Sequence, residues 1–288
     1  MNNSLLSHPH LNSQQKQGVT HIKIENALAS CELSLYGAHI LSFKPKHDLR
    51  ERIYMSPAAI MDGTKAIRGG IPICWPWFGP HQAPNAAYPQ HGYVRTQTWH
   101  MVAVSDNKKG TQISLQPAST KGEGFEGHAE LTLQITVGKS LTIKLITENK
   151  GETAFSYNAA LHSYFTVSHI DNVQLAGLQG DYLDKVDNGI QKTTPVPYRF
   201  AQEVDRIQLT PSPEVVINDS QLDNSQQTQV LSQGHDSLVI WNPWAEKSAA
   251  LADMPDNGYL SFCCVETAVT QGHVVEAGNQ HVLQQIIC

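Results

Sequence analysis

Apolar and polar residues alternate with period two along most of this 288-residue chain, and that pattern leaves little room for anything but β-structure. The alternation runs through residues 20–24, 31–35, 112–115, 130–137 and 140–147. It returns at 154–160, 237–241, 258–265 and 281–287. Each such stretch throws alternate side chains to opposite faces and predicts a strand with one dry face and one wet one. Turn-forming residues separate the stretches at 106–110, 137–139 and 149–151. No apolar stripe at helical spacing lasts three turns. Strands recurring about every ten residues without intervening helices pack as stacked antiparallel sheets, so the expected fold class is all-β, a large antiparallel β-sandwich. Neither a linker nor an internal repeat interrupts the pattern. The domain reading is therefore a flexible segment at 1–17 and a single domain over 18–288, with polar loop insertions at 211–213 and 219–229.

Charge and composition narrow the function classes. The net charge is −6 and no Lys/Arg cluster tracks along the chain, which argues against nucleic acid as a partner. No apolar run reaches membrane-spanning length, and the first residues lack the basic start and apolar stretch of an export signal. A cytoplasmic protein without a membrane partner is the expectation. Five cysteines, odd in number and irregularly spaced, do not form a disulfide framework and read as reduced thiols, mostly buried in strands. Cys74 lacks an evident partner base, which favours packing over nucleophilic catalysis.

The densest chemistry lies between Arg68 and Arg95: Arg-Gly-Gly-Ile-Pro-Ile-Cys-Trp-Pro-Trp-Phe-Gly-Pro-His, then Pro-Gln-His-Gly-Tyr-Val-Arg. So many breakers and aromatics suit a stiff, loop-built wall. Two readings fit it. The guanidinium forks of Arg68 and Arg95 match the oxyanions of a phosphate or carboxylate while tryptophan faces cover a sugar ring. Alternatively Trp75, Trp77 and Phe78 are core and the arginines are surface ion pairs.

Two ionisable residues stand at strand ends. His162, in Leu-His-Ser-Tyr-Phe, follows the strand expected at 154–160, and is either a proton shuttle or a hydrogen-bonded structural histidine. Glu266 follows the most apolar strand of the chain. A carboxyl desolvated there gains proton affinity and becomes a usable base, whereas one opening an exposed loop does not. Trp241-Asn242-Pro243-Trp244 forms a second aromatic turn, able to cap a cleft or to plug the end of the sandwich. Fourteen histidines are scattered, and the close pair His8 and His10 has no carboxylate nearby in the sequence, so no metal site is assigned and a cupin-type site is the weaker alternative. Glycine-rich phosphate loops and a nucleophile elbow are both missing.

Taken in order, Gly37-Ala38-His39 with Ser42-Phe43, Arg68-Gly69-Gly70-Ile71-Pro72, Trp75-Pro76-Trp77-Phe78-Gly79, His91-Gly92-Tyr93-Val94-Arg95, Leu161-His162-Ser163-Tyr164-Phe165, Trp241-Asn242-Pro243 and Val265-Glu266 resemble the glucose-6-phosphate 1-epimerase (hexose-6-phosphate mutarotase) family, from about residue 18 onward. The resemblance implies a galactose-mutarotase-like β-supersandwich that interconverts the α and β anomers of an aldohexose 6-phosphate, foremost glucose 6-phosphate, without a cofactor. It implies His162 and Glu266 as the catalytic pair and Arg68, Gln90, His91, Arg95 and Asp205 as substrate contacts. Asp205 carries over least distinctively. The implied partner is a small sugar phosphate, bound by a monomer. Two other functions fit the same residues: a non-catalytic carbohydrate-binding β-sandwich, and an aldose 1-epimerase acting on free sugars.

Overall fold

The computed structural model of the chain describes residues 3–83, 87–223 and 226–288. Among them the strands form three sheets whose ladders are all antiparallel, of four, eight and nine strands, and the α-helices are two short ones, Asn3–Leu6 and Trp244–Ala250. The expected all-β sandwich is the observed fold. Among the described residues no helix is long and apolar enough to cross a membrane.

The nine-stranded sheet follows the sequence alternation closely. Ala129–Val137 and Leu141–Asn149 pair in register, and their odd-numbered residues are all buried. Leu133, Leu145 and Leu283 on that dry face meet Ile240 and Val265 of the eight-stranded sheet in one apolar core, which Ile22 and Phe43 of the four-stranded sheet also join. The four-stranded sheet begins with Leu11–Lys16, which pairs along its whole length with Val19–Glu25. Part of the stretch expected to be a flexible lead-in is thus strand.

Phe262–Val275 is the strand on which the site depends. It was expected at 258–265, but Gly258–Ser261 is a tight 3₁₀ turn and the strand runs ten residues further. The turn forms because the Gly258 N–H donates to the Pro255 carbonyl at 2.8 Å, and a side chain at 258 would collide with Met254. From Phe262 to Val269 both faces of the strand are buried. Cys263, Val265 and Val269 enter the main core, while Phe262 and Cys264 pack on the opposite face with Tyr54, Tyr164 and Trp241. Glu266 shares that second face by the two-residue period, so a carboxylate is carried inside by its neighbours.

Trp75 is fully buried and packs edge-on against Phe125 at 4.9 Å, and the buried Trp77 donates its indole N–H to the Pro89 carbonyl at 2.9 Å. For these two tryptophans the core reading holds. Gly92 has φ +71° and lies so close to the Trp75 carbonyl that no side chain fits, which clamps the aromatic segment to the turn carrying His91. All five cysteines are free, four of them buried, and burial raises the Cys74 thiol to about 12, consistent with packing. The 219–229 insertion is shorter than expected: Asp219 closes the strand Glu214–Asp219, and Thr228–Gln233 is already the next strand, with residues 224 and 225 outside the described set. His8 and His10 do meet a carboxylate. The strand Trp99–Asn107 brings Asp106 to 3.5 Å and 3.2 Å from them, a contact across nearly a hundred residues that local sequence does not show.

Candidate active site

His162 lies in the two-residue gap between Phe155–Leu161 and Tyr164–Thr166, and both of these strands pair with Phe262–Val275. On either side of the gap the register is the same, Leu161 opposite Thr267 and Tyr164 opposite Cys264. That sets His162 opposite Glu266. The imidazole Nδ1 is 3.3 Å from Glu266 Oε1. Neither His162 Nδ1 nor the second carboxylate oxygen, Oε2, has an aligned hydrogen-bond partner in the protein, so both retain bonding capacity. The two residues that fill the gap with them are anchored from the facing sheet. Gln285 accepts from Ser163 Oγ at 2.5 Å, and its amide donates to Thr267 Oγ1 at 2.8 Å and the Val265 carbonyl at 3.2 Å.

A cavity of about 330 Å³ opens above the pair, a size suited to a small polar ligand. Its walls include Arg68, Gln90, His91, His162, Asp205 and Glu266, so six of the seven residues expected from the sequence converge on one place. Arg95 is the seventh and is not on the wall: its guanidinium donates to the Gln90 carbonyl at 2.8 Å. Phe78 and Trp241 supply the apolar surface, and Lys185 and Lys247 add two cations that sequence reading did not single out. Lys185 opens a tight 3₁₀ turn between the strands Asp181–Asp184 and Ile190–Thr193, and Lys247 lies on a short helix, where nothing local marks a lysine as part of a site. Asp253 is a further omission. It accepts from Arg68 Nε at 3.0 Å while the other end of Arg68 donates to the Tyr164 hydroxyl at 3.2 Å, and Tyr164 stacks on His162 with ring centroids 5.0 Å apart.

Electrostatics favour proton exchange here. Burial pushes the Glu266 carboxyl well above the usual carboxylate range; the neighbouring Asp205 adds to this and Lys185 opposes it. Burial likewise pushes the His162 imidazole well below its ordinary value, with further lowering from His91, Arg95 and Arg68. Burial thus disfavours the charged form of both groups, which stand 3.3 Å apart. His91 is held neutral, its pKa lowered to about 3 by burial and by Arg95, Lys185 and Arg68. Its Nδ1 accepts the Gly79 N–H at 3.2 Å, which leaves Nε2 as the ring's proton-bearing nitrogen and a donor on the cavity wall. The ring is turned there by backbone in the left-handed region, φ 62°, just before Gly92. Burial also raises Asp205, against the opposing pull of Lys185 and Lys247.

Among the described residues two groups of side chains could hold a metal: His162, Cys264 and Glu266 at the site, and His8, His10 and Asp106 far from it in the chain. Burial and the Glu266 charge push the Cys264 thiol well above its normal range, which opposes thiolate ligation at the first.

The chain matches the model of the aldose 1-epimerase family over residues 20–288. It is 34% identical over 262 residues to a Salmonella typhimurium protein named "Putative glucose-6-phosphate 1-epimerase", a span covering 90% of this chain and 86% of that one. An Escherichia coli protein of the same name is 34% identical over 253 residues, 86% of this chain and 82% of the relative. In three dimensions the chain superposes on the crystal structure of a "putative mutarotase" from Salmonella typhimurium with a TM-score of 0.89 at 31% identity, covering 98% of this chain and 94% of that one. A galactose mutarotase-like protein from Clostridium acetobutylicum shares the fold at 11% identity, with a TM-score of 0.72 over 96% of this chain and 97% of its own. The chain belongs to the aldose 1-epimerase family.

Proposed function

We propose that the protein interconverts the α and β anomers of an aldohexose 6-phosphate, foremost glucose 6-phosphate, by acid–base opening and closing of the ring. The observation that carries this reading is the His162–Glu266 pair, 3.3 Å apart at the floor of a cavity rimmed by cations. The names of the Salmonella and Escherichia relatives point to the same substrate.

Mutarotation needs one group to accept a proton while another donates one. Moving a proton from the Glu266 carboxyl to His162 produces a carboxylate base and an imidazolium acid. Glu266 takes the proton from the anomeric hydroxyl O1, the O1 electron pair forms the C1 carbonyl, and the C1–O5 bond breaks with its electrons going to O5. His162 protonates O5. Rotation about the C1–C2 bond presents the other face of the aldehyde, and the same transfers run in reverse to close the ring. Each positioned transfer contributes about 10²- to 10⁴-fold. His91, neutral with Nε2–H as its donor, steadies the ring oxygen, and Asp205 and Gln90 hold sugar hydroxyls. Arg68, braced by Asp253 and Tyr164, holds the ligand end away from C1, so that binding energy is used for orientation.

The test is anomer exchange measured by NMR on glucose, galactose and mannose 6-phosphates and on the free sugars. Faster equilibration of a hexose 6-phosphate than of its free sugar is expected. Acceleration of free sugars alone moves the protein to the free-sugar branch of its family, and tight sugar binding without exchange identifies a binding module.

A further inference from the structure

The cations around the cavity are not equally available, and on the proposed sugar-phosphate reading the one left free is the one open to the ligand. Arg68 is committed to Asp253 and Tyr164, Lys247 to Glu203 at 2.7 Å, and Arg95 to the Gln90 carbonyl. Lys185 has Asp184 beside it and Asp187 two residues on, yet neither pairs with it. Lys192 reaches across from the next strand and takes both, at 2.9 Å and 2.7 Å. Among the described residues no carboxylate lies within 4 Å of Lys185 Nζ. Its ammonium instead extends over the Phe78 ring, 6.0 Å from the centroid, beside Gly79, where an added Cβ would be 3.9 Å away. Gly79 is the residue whose N–H and carbonyl pin His91. Lys185 is an exposed residue that lines the rim of the cavity, and its charge is felt by Glu266, Asp205 and His91 alike.

We infer that Lys185 is the residue that selects phosphorylated over free hexoses, by pairing its unshared ammonium with the 6-phosphate at the rim of the cavity. A lysine suits the task because it is a mobile point charge with three donors, able to follow a phosphate on a rotatable C6 arm. Lys192 sets up the selection by neutralising Asp184 and Asp187, which would otherwise occupy the ammonium or repel the phosphate.

The experiment compares wild type with Lys185→Met and Lys185→Arg, using glucose 6-phosphate and glucose as probes. Exchange rates are read by NMR and affinities by calorimetry. The inference expects the preference for glucose 6-phosphate over glucose to fall about 10- to 100-fold in Lys185→Met, through KM and Kd rather than kcat, and to be largely restored in Lys185→Arg. An unchanged preference, or equal losses on both sugars, overturns it. Wild type that binds glucose 6-phosphate without exchanging its anomers refutes the proposed function instead, and Lys185 is then judged on the calorimetric preference alone. Wild type that neither binds nor exchanges the phosphate overturns both.

Discussion

His162 and Glu266, 104 positions apart in the chain, face each other across one antiparallel ladder with Nδ1 and Oε1 separated by 3.3 Å. The ladder fixes this, because the register on both sides of the gap at 162–163 sets His162 opposite Glu266, while on its other side the His162 N–H is held by the Pro72 carbonyl at 3.1 Å. If these two side chains carry the proton transfers, His162→Ala and Glu266→Gln each lower kcat for anomer exchange by about 10²- to 10⁴-fold. Glu266→Gln preserves the shape of the side chain and removes the base, so full activity in that variant takes Glu266 out of the mechanism. Melting temperatures of the purified variants separate this effect from misfolding.

How the site stores protons also sets how the protein responds to acid. Five histidines are held below their ordinary pKa, chiefly by burial: His39 and His281 to about 4, His91 to about 3, and His162 and His235 by direction. In the unfolded chain each protonates near pH 6.5, so unfolding takes up protons below that value and stability falls as the pH drops from 6.5 toward 4. Glu266 and Asp205 are raised and act in the opposite sense, holding protons in the folded state that the unfolded chain has released. The histidines outnumber them. Thermal melts across pH 4.5–7 are expected to show stability lost on acidification, by about 1.4 kcal/mol per pH unit for each unbalanced proton at full burial and less for the half-exposed histidines. His39→Gln removes one buried histidine and flattens that slope; a slope unchanged by the substitution contradicts the assignment.

Arg95 offers a sharper test of the cavity's organisation. The family resemblance makes it a phosphate contact, yet its guanidinium binds the Gln90 carbonyl at 2.8 Å. If Arg95 acts by positioning Gln90, Arg95→Ala weakens free and phosphorylated hexose to a similar degree. A selective loss on the phosphorylated sugar restores it as a direct phosphate ligand. The measurement is kcat/KM on both substrates.

Much of this was readable from residue order. Strand after strand declared itself by alternation, whereas Glu266, after the apolar run Phe262 to Val265, was open to a buried or an exposed-loop reading, and the ladder decides for burial. What stayed hidden depended on distant contacts. Gly258–Ser261 looks like strand because Tyr259 and Leu260 continue the apolar pattern, and only the bonds to Pro255 and Asn257 make it a turn. Trp75 and Trp77 looked equally like a sugar platform or a core, since local sequence does not say which sheet covers an aromatic ring. Lys185 and Asp253 acquire meaning only once the fold shows which charges are already paired. His8 and His10 were given no carboxylate for the same reason.

Gln285 is the residue that best illustrates how the far sheet takes part in the site. It is fully buried in Gln280–Ile287, and its amide bridges Ser163 and Thr267, the immediate chain neighbours of His162 and Glu266. A buried amide satisfied on both ends is a stabilising network; the same network with its centre removed leaves Ser163 Oγ and the Val265 carbonyl short of partners, at about 1–3 kcal/mol for each unsatisfied group. Thr267 Oγ1 keeps its contact with Ser232 Oγ at 2.7 Å and suffers less. Gln285→Ala is therefore expected to destabilise the fold by about 2–5 kcal/mol, and to lower kcat more than it raises KM because the two catalytic strands lose the tie that fixes their spacing. Gln285→Leu, which keeps most of the volume and removes the polar bridge, tells packing from hydrogen bonding: stability and kcat near wild type in that variant show that the amide merely fills space between the sheets, whereas losses comparable to the alanine variant show that its bonds hold His162 and Glu266 at working distance.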